Sequence, residues 1–538
     1  MAPLTEMRFS GWGVEADAGE LSDHVVEWLE HRFGAPIAAR LAPPSESEVR
    51  LSKSKLSKRA HSKLSERVGT TNVRTDQHSR LLHSAGKGYP DLLSMRSGNR
   101  VAAPDAVVYP ADGADVTAVL KICSKYGIAV VPFGGGTSVV GGITPLRGGF
   151  DSVISLDLQR LRELISLDEK SRIGTFAAGL RGPELEHLLR ARGYTLGHFP
   201  QSFEYATVGG WVATRSAGQA STGYGRIDEK LVGARLVAPA GELKLDARPA
   251  SAAGPDLRAL VAGSEGALGV ITEASLEVSP APEVTRYEAF MLPSFAAAAD
   301  ALRALEQAGQ APDVARASDE HETEMGLAFA GIEGAKGRLL EGYLRGRGAG
   351  SGALVVLGWE GASGTIDQRR RGALSLLKEH GAVGLGAGAG RTWAKNRFST
   401  PYLRDHLLER GVMVETLETS TTWSNLMLLY RGVGDALAAH APIVGCHISH
   451  LYQSGASLYF TFVARQEQGD PHGQWQSAKR EACDAIVAHG GTITHHHAIG
   501  IDHRRYLKAE DGAAGVAALR AVKASLDPSG LMNPGKLL

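Results

Sequence analysis

Three groups of residues in this chain could carry chemistry. THHHAIG, residues 494–500, holds three adjacent histidines, and imidazoles can move protons near neutral pH. ASLYFTFVA, residues 456–464, alternates apolar with polar side chains, so a strand there would bury its apolar face and turn Tyr459 toward a polar site. VVPFGGGTSVVGG, residues 130–142, places three glycines after a β-branched strand, which lets backbone N–H groups converge on an anion. A candidate anion loop thus accompanies candidate proton-transfer side chains.

Each group also has an ordinary structural explanation. Tight turns use the same glycines, and the loop lacks both the Lys-Ser/Thr ending of a Walker A sequence and the GxGxxG pattern. Tyr459 could lie exposed on a sheet surface, and at least one histidine could be a buried structural residue. On an extended backbone His495 and His497 would share one side and His496 would point to the other. A metal site would need further ligands at suitable spacing, and none is evident, so we predict no metal.

The elements that must position these residues alternate between strands and helices. From about Asp105, the segments DAVVYP, ADVTAVLKICSKYG and IAVVPFGGGTS predict a strand, an amphipathic helix, a strand and the glycine loop. The alternation continues through SVISLD, ELEHLLRARG, KLVGARLVAP and GVITEASLEV. After Pro282 the pattern changes to longer helices such as SFAAAADALRALEQAG, which predicts a second domain. The last helix should end near Asp527, before a turn-rich tail.

Composition excludes several classes of protein. Lys plus Arg equals Asp plus Glu at 58 each, so no net charge draws the chain to nucleic acid. The cysteines Cys123, Cys446 and Cys483 are odd in number and far apart, which favours a reducing compartment over a disulfide framework. The N-terminus has no signal-peptide pattern, and no apolar run approaches the length of a membrane span. We therefore predict a cytoplasmic protein with more than one domain.

A basic stretch from Arg50 to Arg67 interrupts the polar N-terminal region. It carries one acid among many cations. A solvated helix or linker is the simpler explanation. The alternative is a patch that meets anionic lipid headgroups or a phosphorylated substrate.

Three later segments extend the evidence from the glycine loop. They are PQSFEYATVGGWVATRSAG (200–218), YGRIDEKLVGARLVAPAGE (224–242) and AGSEGALGVITEASLEV (262–278). In this order and spacing, and together with GGGTS, they resemble the FAD-binding domain of the vanillyl-alcohol-oxidase and para-cresol-methylhydroxylase (PCMH) family. The resemblance implies FAD as the cofactor, with the pyrophosphate in the glycine loop. The implied contacts are Pro132, Phe133, Gly134, Gly135, Gly136, Thr137, Ser138, Gln201, Ser202, Phe203, Glu204, Tyr205, Ala206, Thr207, Thr214, Arg215, Ser216, Ala217, Gly263, Ser264, Glu265, Gly266, Ala267, Leu268 and Gly269.

The rest of the chain resembles the alkyldihydroxyacetonephosphate synthase branch of this family. GWG near the N-terminus, the GGGTS loop, TVGGWVATRSAG, GSEGALGVITEA, HHHAIG and the DP-containing tail carry the resemblance. It implies exchange of the acyl group of an acyl-dihydroxyacetone phosphate for a long-chain fatty alcohol, which forms the ether bond of an ether lipid precursor. The implied route has no net redox and holds the substrate on flavin N5 between its two halves. Because residues 130–142 contain no His or Cys to tether the flavin, we expect non-covalent FAD.

The same resemblance assigns roles to side chains. Tyr459 aligns with a tyrosine proposed as acid/base, and His495, His496 and His497 fall near the active site, where they could move protons or bind phosphate oxygens. Arg404, in STPYLRDHLLERG, matches an arginine beside the flavin, where it could stabilise negative charge and pair with the substrate phosphate. Without the resemblance, Arg404 would be interpreted as a solvated helix cation.

Arg316, in APDVARASDEHE, occupies another matching position. The resemblance makes it a support for the flavin-facing sheet or a substrate-binding residue. A structural ion pair with Asp319 or Glu320 is the alternative.

Two features favour a second function. After HHHAIG the chain continues IDHRRYL, which is more acidic than the basic run associated with eukaryotic synthases. The tail LDPSGLMNPGKLL also resembles flavin-dependent D-lactate and glycolate dehydrogenases. The alternative is therefore an FAD-dependent 2-hydroxy acid dehydrogenase or oxidase, in which Arg404 would bind the carboxylate.

These observations predict an α+β, two-domain flavoprotein. We assign residues 1–95 to an N-terminal helical and loop segment and 96–282 to a PCMH-type FAD-binding domain. Residues 283–500 form a cap domain built on an antiparallel sheet over the flavin, and 501–538 return to the FAD-binding domain. We also expect a homodimer and a peripheral contact with the inner face of the membrane.

Overall fold

The computed structural model describes residues 5–15, 20–97, 100–332 and 334–538. Residues 1–4 and 16–19 of the predicted N-terminal segment lie outside the described residues. The N-terminal elements are, in chain order, α1 (Asp23–Phe33), β1 (Arg50–Leu51), α2 (Lys58–Val68), β2 (Val73–Arg74), α3 (Gln77–Leu82), α4 (Tyr89–Arg96) and β3 (Arg100–Val101).

The described residues of the next region form two larger sheets and one two-stranded sheet. Its elements are β4 (Ala106–Val108), α5 (Gly113–Tyr126), β5 (Ile128–Phe133), β6 (Ser152–Asp157), β7 (Leu164–Asp168), β8 (Ile173–Ala177), α6 (Gly182–Arg190), β9 (Tyr194–Thr195), α7 (Val208–Thr214), α8 (Ser221–Tyr224), α9 (Ile227–Lys230), β10 (Leu231–Ala238), β11 (Gly241–Leu245), α10 (Arg258–Val261), β12 (Val270–Glu277) and β13 (Ser279–Pro280). One sheet has the order β2-β4-β6-β5 and pairs β4, β6 and β5 in parallel. The other, β11-β10-β12-β8-β7, is antiparallel.

The predicted strand, helix and strand before the glycine loop are present as β4, α5 and β5. Asp112 caps α5 by accepting from the Asp115 N–H, and Gly127 ends it with a φ of 64°, a conformation that costs glycine little. β6 is buried along its whole length and β5 at all but one residue, as expected for strands that pack on both faces. The loop therefore begins at the end of a rigid, buried strand.

The second half of the chain builds one large sheet with helices around it. Its elements are β14 (Val284–Leu292), α11 (Phe295–Gln307), β15 (Val314–Ser318), α12 (Glu320–Phe329), α13 (Gly334–Arg345), β16 (Ala353–Gly361), α14 (Ser363–Glu379), β17 (Val383–Leu385), α15 (Gly386–Asn396), α16 (Thr400–Leu408), β18 (Val412–Thr422), α17 (Leu426–Ala438), β19 (Ile443–Ile448), β20 (Leu451–Tyr452), β21 (Gly455–Arg465), α18 (Pro471–Ala488) and α19 (Leu507–Leu526). The strand order is β17-β14-β16-β15-β19-β21-β18, with β20 on β21. Every pair is antiparallel, as predicted for the cap.

Strand β21 has the predicted alternation. Leu458, Phe460 and Phe462 are fully buried, in one core with apolar residues of α17 and α18 such as Leu429 and Trp475. The intervening side chains must face the other side of the sheet. Burial of three large apolar side chains, at roughly 1.5–3 kcal/mol each, fixes which face Tyr459 occupies.

The chain end returns to the glycine-loop strand. The Val130 N–H donates to the Leu531 carbonyl (2.9 Å), and the Asn533 N–H donates to the Val130 carbonyl (2.8 Å). The Asn533 side-chain amide reaches the carbonyls of Gly142 (3.0 Å) and Glu265 (2.6 Å). The tail therefore ties the two ends of the loop to the segment around Glu265. The exact domain boundaries stay a prediction.

The basic stretch is partly a packed helix. Ala60, Leu64 and Val68 of α2 are buried in one cluster with residues of α5. Its cations point outward, and Arg67 pairs with Asp115 (2.8 Å). Among the described residues, no helix is both long enough and apolar enough to cross a membrane.

Candidate functional site

The glycine loop packs directly against the segment that precedes α7. A Cβ on Gly135 would lie 2.0 Å from the Tyr205 carbonyl oxygen, and one on Gly134 would lie 2.4 Å from Thr207 Oγ1. Neither distance is compatible with a side chain. We expected these glycines to admit an anion, but at Gly135 the group that leaves no room is the chain's own backbone. The absence of a side chain at Gly135 thus lets two backbone segments meet, and its absence at Gly134 makes room for the Thr207 hydroxyl.

A groove lies over this junction. Its walls come from the glycine loop, α7, the turn after Gly263 and Ala498 of the histidine segment. The predicted FAD contacts that line it are Pro132, Phe133, Gly134, Ser138, Thr207, Thr214, Glu265, Gly266 and Gly269. The predicted contacts outside its lining are Gly135, Gly136, Thr137, Gln201, Ser202, Phe203, Glu204, Tyr205, Ala206, Arg215, Ser216, Ala217, Gly263, Ser264, Ala267 and Leu268. The structure therefore brings three predicted segments to one groove.

The residues present fit FAD. The groove is rich in glycine and apolar atoms, which allow backbone to approach a flat ring and a pyrophosphate closely. Beside the groove lining, Gln201 Nε2 and Ser264 Oγ of the predicted contact segments are buried and have no partner among the described residues. Buried polar atoms are rarely left unpaired, so a missing partner is expected at these positions. Non-covalent attachment stays a prediction.

Glu265 joins the groove to the histidine segment. Its carboxylate accepts the N–H groups of Ile499 (2.8 Å) and Gly500 (2.7 Å), and it adopts a φ of 50°. Burial raises the pKa of this carboxyl to about 7, although both N–H bonds favour the charged form. The residue predicted to contact flavin thus also positions the end of HHHAIG.

The histidine segment is wound around a second buried carboxylate. The N–H groups of His495, His496 and His497 and the Thr494 hydroxyl all donate to Glu418. The backbone is therefore bent here and not extended, since three consecutive N–H groups can reach one carboxylate only from a bend, so the alternation considered for an extended segment does not apply. Burial opposes ionisation of Glu418, but the neighbouring histidines and these donors lower its pKa well below the usual range.

The Tyr459 side chain projects from β21 toward the histidine segment. Strand register places Glu418 of β18 and His447 of β19 on either side of it. Its ring stacks on His447 (centroids 4.8 Å apart) and meets His497 edge-on (5.5 Å). Burial raises the pKa of Tyr459 to about 12 and lowers that of His497 to about 3. At neutral pH the site therefore holds a protonated phenol among neutral imidazoles.

Arg316 belongs to an ion pair that the sequence did not identify. Its Nη2 lies 3.0 Å from Glu322 Oε1, whereas we had considered Asp319 or Glu320 as partners. Asp319 instead caps α12, because its carboxylate accepts the N–H at the first turn of that helix. Glu322 also lies 2.9 Å from His447 Nδ1. Burial would raise the pKa of Glu322, but His447 and Arg316 lower it to about 2. Arg316 and Glu322 thus hold the imidazole on which Tyr459 stacks.

Arg404 is not a solvated helix cation. Its Nη1 donates to the Lys87 carbonyl (2.6 Å), and its Nη2 lies 3.2 Å from Asp405 Oδ1. The fully buried Asp405 also pairs with Arg8 (3.1 Å) and accepts from the Trp12 N–H of the GWG motif. The Lys87 N–H in turn donates to the Ser138 carbonyl (2.6 Å). These contacts connect Arg404 to the glycine loop through one intervening residue.

Several residues of this site were missed by sequence reasoning. The missed residues are Glu418, His447, Glu322, Lys87 and, in its role of holding the histidine segment, Glu265. Each of them makes its hydrogen bonds with residues distant in sequence. Glu418 occupies a strand that also carries Glu415 and four threonines, so its type and spacing gave no signal. His447 and His450 stand three residues apart in CHISH, and this spacing near Tyr459 was the one available clue.

Comparisons with known proteins identify the families to which this chain is related. A family model described as "FAD binding domain" matches residues 104–245, and one described as "FAD linked oxidases, C-terminal domain" matches residues 281–537. The chain is 33% identical over 479 residues to the alkyldihydroxyacetonephosphate synthase of Dictyostelium discoideum, covering 87% of this chain and 78% of that one. It is 34% identical to the protein of that name from Trypanosoma brucei brucei, with the same coverage.

A solved structure supports the same relationship. An alkyldihydroxyacetonephosphate synthase superposes with a TM-score of 0.84 at 28% identity, covering 98% of each chain. The predicted α+β fold, with its PCMH-type FAD-binding domain, and FAD as the cofactor are confirmed. The chain is an FAD-binding enzyme that belongs to the alkyldihydroxyacetonephosphate synthase family.

Proposed function

We propose that this enzyme exchanges the acyl group of an acyl-dihydroxyacetone phosphate for a long-chain fatty alcohol. The products are an alkyl-dihydroxyacetone phosphate and a free fatty acid, so the carbon–oxygen bond to the acid breaks and a carbon–oxygen bond to the alcohol forms. The substrates are those implied by the names of the relatives, and the 33–34% identity to these synthases supports the assignment. FAD, when bound, would supply an electron-poor flavin ring that the substrate contacts during the exchange.

One observation carries the proposal. The segment 494–500 lines the predicted FAD groove through Ala498 and surrounds Tyr459 with imidazoles a few residues earlier. Glu265 and Glu418 hold its two ends. This continuity supports a substrate site that extends from the groove along the histidine segment to the Tyr459 side chain.

The protons of the exchange can be assigned to these residues. The alcohol must lose its hydroxyl proton, and the fatty acid that leaves accounts for this proton in the balance of the exchange. Tyr459, with a pKa of about 12, is a donor at neutral pH, and the imidazoles of His496 and His497, with lowered pKa values, are acceptors. We assign the acid/base role to Tyr459 and proton transfer to and from it to the histidines, including His495.

We propose the two arginines as the cationic groups of the substrate site. The Arg404 side chain is 16% exposed and reaches the glycine loop through Lys87, which supports a role beside the flavin and the substrate phosphate. Arg316 is 26% exposed and holds His447. Its contacts support a positioning role beneath Tyr459 as well as substrate binding.

A peripheral membrane contact would supply the lipid substrates. Lys53, Lys55, Lys58 and Arg59 are exposed at the start of α2, whereas the apolar side of this helix is packed. Each such cation near an anionic surface contributes about 1 kcal/mol at low salt. This supports salt-sensitive binding to anionic vesicles at α2. The homodimer, like the membrane contact, stays a proposal.

The proposed reaction is tested with purified enzyme, palmitoyl-dihydroxyacetone phosphate and deuterated hexadecanol. Mass spectrometry should find the deuterated alkyl chain in an ether of dihydroxyacetone phosphate, with one palmitate released per ether. Absence of the ether from enzyme with a full complement of FAD would contradict the proposal.

A further inference from the structure

A fourth histidine joins the histidine segment from the sheet. His450 follows β19, is 4% exposed and stacks on His495 with ring centroids 4.9 Å apart. Its ring also meets that of His496 edge-on at 5.4 Å. His450 Nδ1 is buried and has no hydrogen-bond partner among the described residues. A buried imidazole nitrogen without a partner is uncommon and calls for an explanation.

The three rings of this cluster, His450, His495 and His496, converge on one point. One ring nitrogen of each lies within 4.8 Å of one from each of the others. The Nδ1 atoms of His495 and His496 are 2.9 Å apart. Two imidazole nitrogens on one tetrahedral zinc, each about 2.0–2.1 Å from the metal, are about 3.4 Å apart. The His495–His496 spacing is shorter than this value and every pair lies within 4.8 Å, so side-chain rotations would complete a three-nitrogen set.

The surroundings resemble those of protein metal sites. Tyr452 Oη lies 2.6 Å from His495 Nε2, which fixes that ring and leaves its Nδ1 for the cluster. The buried Glu418 carboxylate lies 3.8 Å from His496 Nδ1 and supplies a negative charge. The nearby Arg226 guanidinium is itself paired with Asp228 at 3.0 Å. The local charge is therefore compatible with a divalent cation.

We propose that His450, His495 and His496 bind a divalent transition metal of the zinc, cobalt or nickel type. Three imidazoles suit these ions, and a fourth position stays open to water. This proposal departs from our sequence prediction of no metal, which did not consider His450, 45 residues before His495. A bound metal would withdraw His496 from proton exchange with Tyr459, so the site would lower activity when occupied.

The test is titration of the FAD-loaded enzyme with Co²⁺, followed at wavelengths longer than the flavin absorption. We expect one equivalent of Co²⁺ to give the intense visible bands of a tetrahedral nitrogen site, displaced by Zn²⁺. His450→Gln should weaken binding by at least about tenfold, since it removes one of three ligands. The matched control is His440→Gln, because His440 follows α17 and pairs with Glu481 away from the cluster. It should bind Co²⁺ as the wild type does.

Failure of wild-type enzyme to bind Co²⁺ would overturn the proposal, as would unchanged affinity in His450→Gln. FAD content serves as the folding control for the variant. If the variant loses FAD, a wild-type crystal soaked in zinc decides the matter, because an anomalous peak must fall among the three rings. Metal binding is read independently of alkyl exchange, so its failure leaves the proposed function untouched.

Discussion

The FAD-binding region and the cap sheet build their parts of the site in different ways. In the former, residues 130–142 act through backbone, and Gly134 and Gly135 contribute by having no side chain. In the latter, function depends on side chains that strand register brings into one row, with His447, Tyr459 and Glu418 on three neighbouring strands. Adding a side chain to the glycine loop should therefore abolish FAD binding altogether. Single substitutions in the side-chain site should instead reduce the rate of exchange by different amounts while FAD stays bound.

The largest effect is expected from adding bulk to the backbone site. Gly135→Val would place a Cβ 2.0 Å from the Tyr205 carbonyl oxygen, so the loop and the following segment cannot both keep their positions. We expect loss of FAD, measured as flavin absorbance per chain. The matched control is Gly384→Val in β17, where a Cβ meets nothing within 4 Å. FAD retained by Gly135→Val at full stoichiometry would contradict the role of this loop.

The next largest effect is expected on the rate of exchange in Tyr459→Phe, which changes the side-chain site. General acid–base groups contribute roughly 10²–10⁴-fold, so alkyl exchange should fall by that order while FAD stays bound. The ring is kept, so its stacking on His447 is preserved. Tyr430→Phe is the control, because Tyr430 lies on the other side of the sheet, bonded to Asp319. Full exchange activity in Tyr459→Phe would remove the proposed role.

Glu418→Gln tests whether the side-chain site depends on the carboxylate that holds the histidine segment in place. The amide keeps the shape but removes the charge that four donors share, at a cost of about 1–3 kcal/mol in the free energy of unfolding. Displacement of the histidines should lower exchange by up to about 10²-fold. Urea denaturation and initial rates measure the two effects. The exposed Glu467→Gln should change neither, and equal behaviour of the two variants would refute the role of Glu418.

The pH profile gives the smallest expected change. An acceptor histidine must be neutral, and this holds above its pKa, about 3 for His497. The phenol must be protonated, and this holds below about 12 for Tyr459. Neither Tyr459 nor His497 should therefore give the rate of exchange at saturating substrate an inflection between about pH 5 and about pH 9. A modest inflection near pH 7 is expected from Glu265, whose carboxyl has a pKa of about 7 and holds the N–H groups of Ile499 and Gly500. A fall below a pKa near 6.5 that persists in Glu265→Gln would show that the histidines titrate as exposed groups and that the site is not dry.

The contrast between the two regions also explains what the sequence could predict. The glycine loop, β5, α5 and the alternation in β21 are local patterns, and all were predicted. Glu418 and His447 were not, because their place beside Tyr459 follows from the register in which β18 and β19 pair with β21, and a local pattern does not give this register. The bend at His495 to His497 depends on Glu418 and could not be seen without it. Arg316 was found, but its partner was not, because Glu322 reaches it from the first turn of α12.

The central claim is that the side-chain site exchanges alkyl for acyl groups without net redox. The most direct test is an anaerobic incubation of enzyme with palmitoyl-dihydroxyacetone phosphate and hexadecanol, with the flavin spectrum and the products recorded together. We predict many ether products per flavin, and a flavin band that is fully oxidised at the end without an added acceptor. A parallel sample with D-lactate or D-2-hydroxyglutarate should keep its flavin oxidised. Lasting bleaching by a hydroxy acid, with no ether in the first sample, would contradict the assignment in favour of a 2-hydroxy acid dehydrogenase.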